Sequence, residues 1–354
     1  MFGAAAFRFE DVEVLGFRID LNQHGSDVEE ALTKLIEPLN FHLTPGADTA
    51  GWAGAVSDFK YCPATCTIML ELLRYGQMKP RKPVPPLTLH DYESQHELLV
   101  RILVGRVDDD TAQARNPATF VPAVFVDNPW SKALGRDTLG YDKRMAMFCV
   151  MHKGTLSPLR SDGRLSADEE PEPLGSIKEI HLSTITGKDP AGETLLLKLD
   201  CPYQDFDDWA TFDEIDPDLA WGAFPLAPIR WQQSDFDKRE FRRSFALSVT
   251  TKTFKGFDSI QASPIGERRL HEEMPGQKTW ITSRFAIDDG AQIARPSGIV
   301  ELTLCANQAA PEAWCEILCK MLGIAPGESG TISLPSGSWY RMRCSMDLTV
   351  DDGL

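Results

Sequence analysis

The sequence has no apolar run that approaches the roughly 18 residues needed for a membrane-spanning helix. Its opening segment, MFGAAAFRFEDVE, reaches acidic side chains before the hydrophobic stretch of a signal peptide could develop. These two absences predict a cytoplasmic protein that makes no membrane contact.

Motifs for several common chemistries are also missing. The 7 histidines are scattered without an H-E-x-x-H pair, and the sequence has no glycine-rich phosphate loop and no G-x-S-x-G nucleophile elbow. The 8 cysteines do not suggest a disulfide scaffold in a chain of 354 residues. We therefore predict a protein that needs neither a metal ion nor an organic cofactor.

Two cysteine pairs have a C-x₃-C spacing, which differs from the spacing of the usual zinc sites. They are Cys62 with Cys66 and Cys315 with Cys319. Because the second pair recurs at i and i+4 beside Trp314, it is predicted to supply small core residues of a helix.

The balance of charge restricts the partners. The chain has 36 Lys and Arg against 52 Asp and Glu, a formal net charge of −16. Such a field repels phosphate backbones and anionic lipid surfaces, so we expect no nucleic acid or membrane partner. An anionic small molecule would need a locally cationic pocket in this acidic protein.

Apolar runs alternate with polar loops over most of the chain and predict many more strands than helices. We predict strands at 12–20, 67–73, 98–104, 119–126, 177–182, 194–199, 245–254, 299–304 and 339–348. Pro122 places the fourth of these at a sheet edge or at a bulge. Helices are predicted after the capping box that begins at Ser26 and over Pro311–Leu322. No βαβ rhythm appears, so we expect a single domain over residues 1–354, mainly β (α+β), with an antiparallel barrel or sandwich and a few helices.

The most informative segment is 124–148, VFVDNPWSKALGRDTLGYDKRMAMF. It predicts a strand, a turn at Asn128-Pro129, a short helical or irregular piece, and a second strand that contains Lys143. Strand geometry would point Lys143 and Arg144 to opposite faces. A lysine among so many apolar neighbours either faces water at a strand end or is buried, and the residues alone leave both possibilities open.

This segment resembles the acetoacetate decarboxylase family. The matching patterns are Phe125-Val126-Asp127-Asn128, Gly135-Arg136-Asp137 and Tyr141-Asp142-Lys143-Arg144, with Tyr92-Glu93-Ser94 and Ile36-Glu37-Pro38-Leu39 upstream. The resemblance covers roughly residues 8 to 150. It implies an acetoacetate decarboxylase-like β-barrel, which is diverged or carries insertions after about residue 180.

The resemblance implies that Lys143 is the amine that forms a Schiff base with a keto acid. The amine must be uncharged to attack, and desolvation by neighbours such as Tyr141 would favour that form. Arg144, the adjacent cation of the motif, is a further catalytic candidate, and Tyr141 is a candidate for substrate binding. Glu93 is the candidate for proton transfer at the amine, and Glu97 is the next candidate if Glu93 does not reach it.

Further positions are implied around the substrate. Glu71 is expected as a second pocket carboxylate, on the apolar strand TIMLELL. Arg136 either contacts substrate or pairs with Asp137 to anchor the motif. Arg8 and Arg18 are the candidates for the family's substrate-binding arginine.

The implied activity is the decarboxylation of a β-keto acid through an imine at Lys143, without cofactor. The same imine would also support aldol addition or dehydration, because family resemblance does not guarantee the family's reaction. A third possibility is a non-catalytic barrel that binds a small molecule. The expected partners are therefore a keto-acid substrate and, because members of the family assemble into oligomers, further copies of the chain in a homo-oligomer.

Overall fold

The computed structural model describes most of the N-terminal half and shorter parts of the rest. The described residues are 7–21, 26–37, 40, 59–80, 94–108, 114–132, 143–152, 154–160, 179–184, 194–200, 210–211, 248–256, 278–287, 290–294, 298–305, 313–325 and 327–352.

These ranges form strands and two helices. The strands are β1 Phe7–Asp20, β2 Phe59–Pro80, β3 Gln95–Asp108, β4 Ala114–Val126, β5 Lys143–His152, β6 Thr155–Pro158, β7 Glu179–Thr184, β8 Thr194–Asp200, β9 Ala210–Thr211, β10 Ser248–Gly256, β11 Lys278–Ile287, β12 Gln292–Ala294, β13 Val300–Cys305, β14 Ser329–Leu334 and β15 Trp339–Asp352. The helices are α1 Ser26–Leu35 and α2 Ala313–Met321. No helix in the described ranges is both long and apolar enough to cross a membrane.

The strands belong to one large sheet in the order β10-β11-β15-β1-β2-β3-β4-β5-β7-β8-β13-β14. Neighbours along this path are antiparallel, except for the parallel pair β4 and β5. Strand β10 also pairs with β4 in parallel, over only Thr251 with Thr119 and Lys252 with Phe120. The mainly β fold with few helices is confirmed, and its sheet is mixed, whereas the barrel and the single domain stay predictions.

Each strand predicted from periodicity overlaps an observed strand, because alternation or a long apolar run is visible in the sequence. Pro122 lies in β4 where the β3–β4 register shifts between Val100 and Ile102. The bulge was therefore correctly predicted, but the edge position was wrong, since β4 lies between β3 and β5. The short strands β6, β9, β12 and β14, and also β11, were not predicted.

The two sides of the sheet carry separate apolar clusters. One cluster includes Leu98 and Phe125 together with residues of α1 and α2, and we call this side the helix face. The other includes Leu99 and Val124. We call it the lysine face because Lys143 is paired in register with Val124. Strand β3 therefore divides its side chains from Gln95 to Val104 between the two faces by alternation.

Helix α2 packs on the helix face with an apolar side that contains its cysteines. Cys315 and Cys319 are both buried, and their Sγ atoms lie 3.9 Å apart. Trp314 beside them is 1% exposed and meets the Phe125 ring edge-on. The prediction that these cysteines are core residues of a helix is confirmed.

Candidate active site

Lys143 is the first residue of β5 and lies on the lysine face. One register row runs across five strands to it: Tyr340 of β15, Gly16 of β1, Glu71 of β2, Leu99 of β3, Val124 of β4 and Lys143. Side chains that are paired in register point to the same side of a sheet. Strand pairing thus brings Glu71 and Tyr340 close in space although they lie far apart in the sequence.

The amine of Lys143 is buried and has two polar partners. Its Nζ lies 2.6 Å from Oε2 of Glu97 and 3.1 Å from Oγ of Ser131, while the residue is 7% exposed. A lysine is rarely buried without a partner, because an unpaired buried charge is costly. The pair satisfies that requirement with one carboxylate and one hydroxyl.

Glu97 is held by three donors. Besides Lys143, it accepts hydrogen bonds from Nε2 of Gln95 at 3.2 Å and from the hydroxyl of Tyr75 at 3.1 Å. Gln95 and Glu97 are two positions apart on β3, so alternation brings them to the same face, and Tyr75 faces Gln95 across the β2–β3 ladder. The carboxylate is therefore fixed in position before any substrate arrives.

A capped helical turn places Ser131. Strand β4 ends at Val126, and Oδ1 of Asn128 accepts hydrogen bonds from the backbone N–H groups of Trp130 at 2.9 Å and Ser131 at 3.2 Å. Asparagine is a favoured N-cap, and proline suits the first position of a helix, where Pro129 stands. The motif Asp-Asn-Pro therefore turns the chain so that Ser131 meets the amine.

The preceding residue, Asp127, joins this turn to β3. Its carboxylate accepts the backbone N–H of His96 at 2.9 Å and lies 2.9 Å from Nδ1 of the same residue. The fully buried ring of His96 packs against Phe148 of β5, with ring centroids 5.6 Å apart. Asp127 and His96 thus contact the elements that carry Ser131, Glu97 and Lys143.

If Lys143 forms the imine that the resemblance implies, we expect Asp127→Ala to lower the rate of its formation by about tenfold or more, since the loss of a buried hydrogen-bond partner costs about 1–3 kcal/mol. The measurement is the initial rate of adduct formation with a keto acid under borohydride, followed by mass spectrometry. If Asp127 acts through the turn, the decrease in adduct rate in the double variant Asp127→Ala/Ser131→Ala should be smaller than the product of the two single decreases.

Asn40→Ala is the matched control for this cycle. Asn40 also makes two hydrogen bonds to a strand backbone, to the carbonyl of Tyr61 at 2.8 Å and from its N–H at 2.7 Å. The variant Asn40→Ala should lose stability without a change in the rate of adduct formation. Equal rates in Asp127→Ala and the unsubstituted protein would contradict a positioning role.

A second carboxylate, Glu71, lies on the same face and is 5% exposed. Its Oε1 accepts the hydroxyl of Tyr340 at 2.7 Å, and its Oε2 lies 2.8 Å from Nε of Arg101 in an ion pair. The Tyr340 ring passes over Gly16, where any larger side chain would overlap it. The missing side chain at Gly16 therefore leaves the space through which Tyr340 reaches Glu71.

The described structure separates the two arginine candidates. Arg8 pairs with Asp347 at 3.4 Å near the sheet surface. Arg18 faces Met69 across the β1–β2 ladder and thus lies on the lysine face, where its buried Nε has no hydrogen-bond partner among the described residues. Burial lowers the pKa of Arg18, against the opposing effect of the Asp20 charge.

The lysine face carries cations as well as carboxylates near its buried polar groups. Among its buried and half-buried side chains in the described ranges, the cations are Lys143, Arg101 and Arg18, and the carboxylates are Glu97 and Glu71, while the exposed Asp20 acts on Arg18. In a chain with a formal charge of −16, an anionic group would find buried cations here. No group of three or more His, Cys, Asp or Glu side chains in the described ranges could hold a metal ion.

Only some of the predicted site residues lie in the described part of the chain. Glu93, Arg136 and Tyr141 lie outside the described residues, so their predicted roles stay predictions. Arg144 is paired in register with Phe125 and points to the helix face, as strand geometry predicted, so it lies on the other side of the sheet from the amine and its catalytic role stays a prediction. The physical reason is strand alternation, which separates adjacent residues.

Sequence reasoning named Glu97 only as a second choice and missed four further polar side chains. Those missed are Gln95, Tyr75 and Ser131 around Glu97 and Lys143, and Arg101 beside Glu71. A usable signal was present in β3, where Gln95, Glu97 and Arg101 all occupy odd positions and therefore share one face of the strand. The pattern was hidden by the nearly continuous apolar run LLVRILV.

Tyr75 and Tyr340 predict that the folded protein loses stability at alkaline pH. Burial and then the Glu97 charge raise the pKa of Tyr75 well above its ordinary value, and burial and then the Glu71 charge do the same for the pKa of Tyr340. Both phenols stay protonated in the folded protein, whereas a tyrosine in the unfolded chain ionises at about pH 10. Their contribution to stability is complete below that pH and decreases as pH rises above it.

Absorbance titration near the phenolate band should therefore show two of the 6 tyrosines ionising only when the protein unfolds. In the variant Tyr75→Phe/Tyr340→Phe this late step should disappear, and the alkaline decrease in unfolding free energy should be smaller. Ionisation of all tyrosines near pH 10 in the native protein would contradict the assignment.

Comparison with known proteins gives structural likenesses only. Neither a protein-family model nor a curated protein matches the sequence. The chain is similar to acetoacetate decarboxylase from Legionella pneumophila subsp. pneumophila str. Philadelphia 1, at 10% identity and a TM-score of 0.42, over 99% of this chain and 86% of that one. An acetoacetate decarboxylase-like enzyme from Sphingomonas wittichii RW1 gives 10% identity and a TM-score of 0.44, over 99% of this chain and 92% of that one.

A third similar structure is the enduracididine biosynthesis enzyme MppR, complexed with the condensation product of pyruvate and imidazole 4-carboxaldehyde. It gives 12% identity and a TM-score of 0.43, over 98% of this chain and 87% of that one. The two acetoacetate decarboxylase-type structures each cover 99% of this chain. At these identities and TM-scores the likeness decides neither the reaction nor the substrate.

Proposed function

We propose that the protein is an imine-forming lyase of the acetoacetate decarboxylase type, which decarboxylates a β-keto acid at Lys143. The observation that carries this proposal is the buried contact of the Lys143 amine with Glu97 at 2.6 Å and Ser131 at 3.1 Å. Here the amine is oriented by a hydroxyl and paired with a group that can take its proton.

Glu97 supplies the base for the first step. Proton transfer from the Lys143 ammonium to the Glu97 carboxylate exchanges two buried charges for two neutral groups, and it leaves an amine that can attack. The nitrogen then bonds to the keto carbon, and the carbonyl oxygen becomes a hydroxyl. Glu97 returns its proton to this hydroxyl, which leaves as water and gives the iminium.

The iminium makes the decarboxylation possible without another electron acceptor. The bond between the α-carbon and the carboxylate breaks, CO₂ leaves, and the electron pair moves into the enamine with the iminium nitrogen as the acceptor. A proton then adds to the enamine carbon, and water adds to the iminium carbon to release the ketone and the Lys143 amine. Tyr75, kept protonated by its raised pKa, holds Glu97 in place through these proton transfers.

Arg18 is the proposed partner of the substrate carboxylate. It shares the lysine face with Lys143 and carries a charge without a hydrogen bond at Nε among the described residues. If the β4–β10 pairing closes the sheet into the predicted barrel, this face would be its interior. The loss of binding in Arg18→Met, measured as a rise in KM, should then exceed that in Arg8→Met.

The test is mass spectrometry after borohydride reduction, with acetoacetate, pyruvate and other keto acids as probes and with CO₂ release measured in parallel. A reduced adduct on Lys143 together with CO₂ supports the proposal. An adduct without CO₂ would keep the lysine and assign aldol or dehydratase chemistry instead. If none of these acids gives an adduct, the imine is wrong and a ligand-binding function becomes the better hypothesis.

A further inference from the structure

Gln95 lies at the amine but has no part in the chemistry above. It is the first residue of β3, is 1% exposed, and donates from Nε2 to Oε2 of Glu97 at 3.2 Å. The same oxygen is the acceptor of Lys143 Nζ at 2.6 Å. Because the amide and the amine share one acceptor atom, the amide is within reach of a small molecule bonded to the amine.

Charge determines how this amide is oriented. An ionised carboxylate only accepts hydrogen bonds, so the NH₂ end of Gln95 has to face Glu97. The reversed amide would place two acceptors against each other. Oε1 of Gln95 therefore points away from Glu97, whose own two oxygens already receive Tyr75, Gln95 and Lys143.

Oε1 of Gln95 has no hydrogen-bond partner within the described part of the chain. A buried acceptor without a donor costs free energy, and such groups in native proteins are usually satisfied. The Lys143 ammonium has three N–H groups, of which two are directed at Glu97 and Ser131, and it makes no hydrogen bond to Oε1 of Gln95. A small molecule bonded to the amine is a donor that could lie within reach of this oxygen.

We propose that Gln95 selects the substrate, and that its Oε1 accepts a hydrogen bond from a hydroxyl or N–H group one or two carbons from the keto carbon. The inference rests on the proposed imine at Lys143. It narrows the substrate class to keto acids that carry such a donor. An unsubstituted keto acid leaves Oε1 unpaired in the complex and is therefore disfavoured.

The test compares rates of borohydride-trapped adduct formation between matched keto acids at low concentration. The pairs are acetoacetate with 4-hydroxy-3-oxobutanoate, and 3-oxopentanoate with 5-hydroxy-3-oxopentanoate. The unsubstituted protein should favour the hydroxylated member of at least one pair about tenfold or more. The acid 4-methoxy-3-oxobutanoate, which has the oxygen but no donor, should react like acetoacetate, and 4-amino-3-oxobutanoate measures the N–H donor.

Gln95→Met is the variant that removes the acceptor and keeps the length of the side chain. It also removes a donor to Glu97, which slows both members of a pair equally, so the ratio of rates is the measured quantity. The ratio should decrease to about one. Tyr75→Phe is the matched control, because it removes a different donor to Glu97 and leaves the amide, so it should slow both members and keep the ratio.

Three results would overturn the assignment. They are equal trapping of plain and hydroxylated acids by the unsubstituted protein, a preference that persists in Gln95→Met, and a preference that Tyr75→Phe removes as completely as Gln95→Met does. Each of these leaves the imine in place, because an adduct is still observed. Absence of any Lys143 adduct with every acid would instead overturn the imine and, with it, the role of Gln95.

Discussion

Lys143→Ala is expected to abolish turnover and borohydride trapping together, with a decrease of roughly 10⁴-fold or more, as for other lost nucleophiles. Lys143→Arg should have the same effect. A guanidinium keeps the charge beside Glu97 but stays protonated and cannot attack a carbonyl. The measurements are CO₂ release, adduct mass and the circular dichroism spectrum of each variant.

Loss of activity in Lys143→Ala has to be separated from loss of fold. Removing one partner of a buried pair leaves an unpaired charge on Glu97, at a cost of about 3–5 kcal/mol. The double variant Lys143→Met/Glu97→Gln has no such charge, so it should fold and still form no adduct. Full turnover in either variant would remove the proposed reaction.

Glu97→Gln should decrease the rate of adduct formation by about 10²-fold to 10⁴-fold, because general acid–base catalysis contributes that much. The amide cannot take the proton of Lys143 or return it to the departing hydroxyl. Substrate binding should change little, so the loss should appear in kcat and only weakly in KM. Single-turnover trapping with the same keto acid measures the step directly.

Glu10→Gln is the control for a Lys–Glu pair of similar geometry outside the site. Glu10 pairs with Lys79 at 3.0 Å, and both side chains are about two-fifths exposed, at 40% and 42%. Its loss should leave the adduct rate unchanged. Glu93→Gln, measured beside it, decides between the carboxylate that the Tyr-Glu-Ser pattern suggested and the one in contact with the amine. A larger loss in Glu93→Gln than in Glu97→Gln would reverse the assignment.

Much of the secondary structure could be predicted because its causes are local. Alternation, apolar runs and capping residues predicted the long strands of the sheet and both helices. Short strands such as β12 and β14 were missed, since a few residues paired by their neighbours carry no period of their own. The β11 strand KTWITSRFAI was missed although its residues have good strand propensity.

For the site, the sequence by itself proposed Lys143 as the reacting amine, since the motif around it depends on neighbours in the chain. It also determined that Lys143 and Arg144 separate, because alternation is a property of any strand. Only the tertiary structure decided which carboxylate meets the amine. Glu97 lies 46 positions from Lys143, and their contact depends on β3 pairing with β4 and β4 pairing with β5.

The same limit applies to the second carboxylate. Tyr340 stands 269 positions from Glu71, and its hydrogen bond requires both the β1–β15 register and the absence of a side chain at Gly16. Register is a property of the whole sheet, because a shift of one residue would turn every one of these side chains to the helix face. Local pattern therefore suggested the chemistry of single residues, whereas strand register decided which of them lie together.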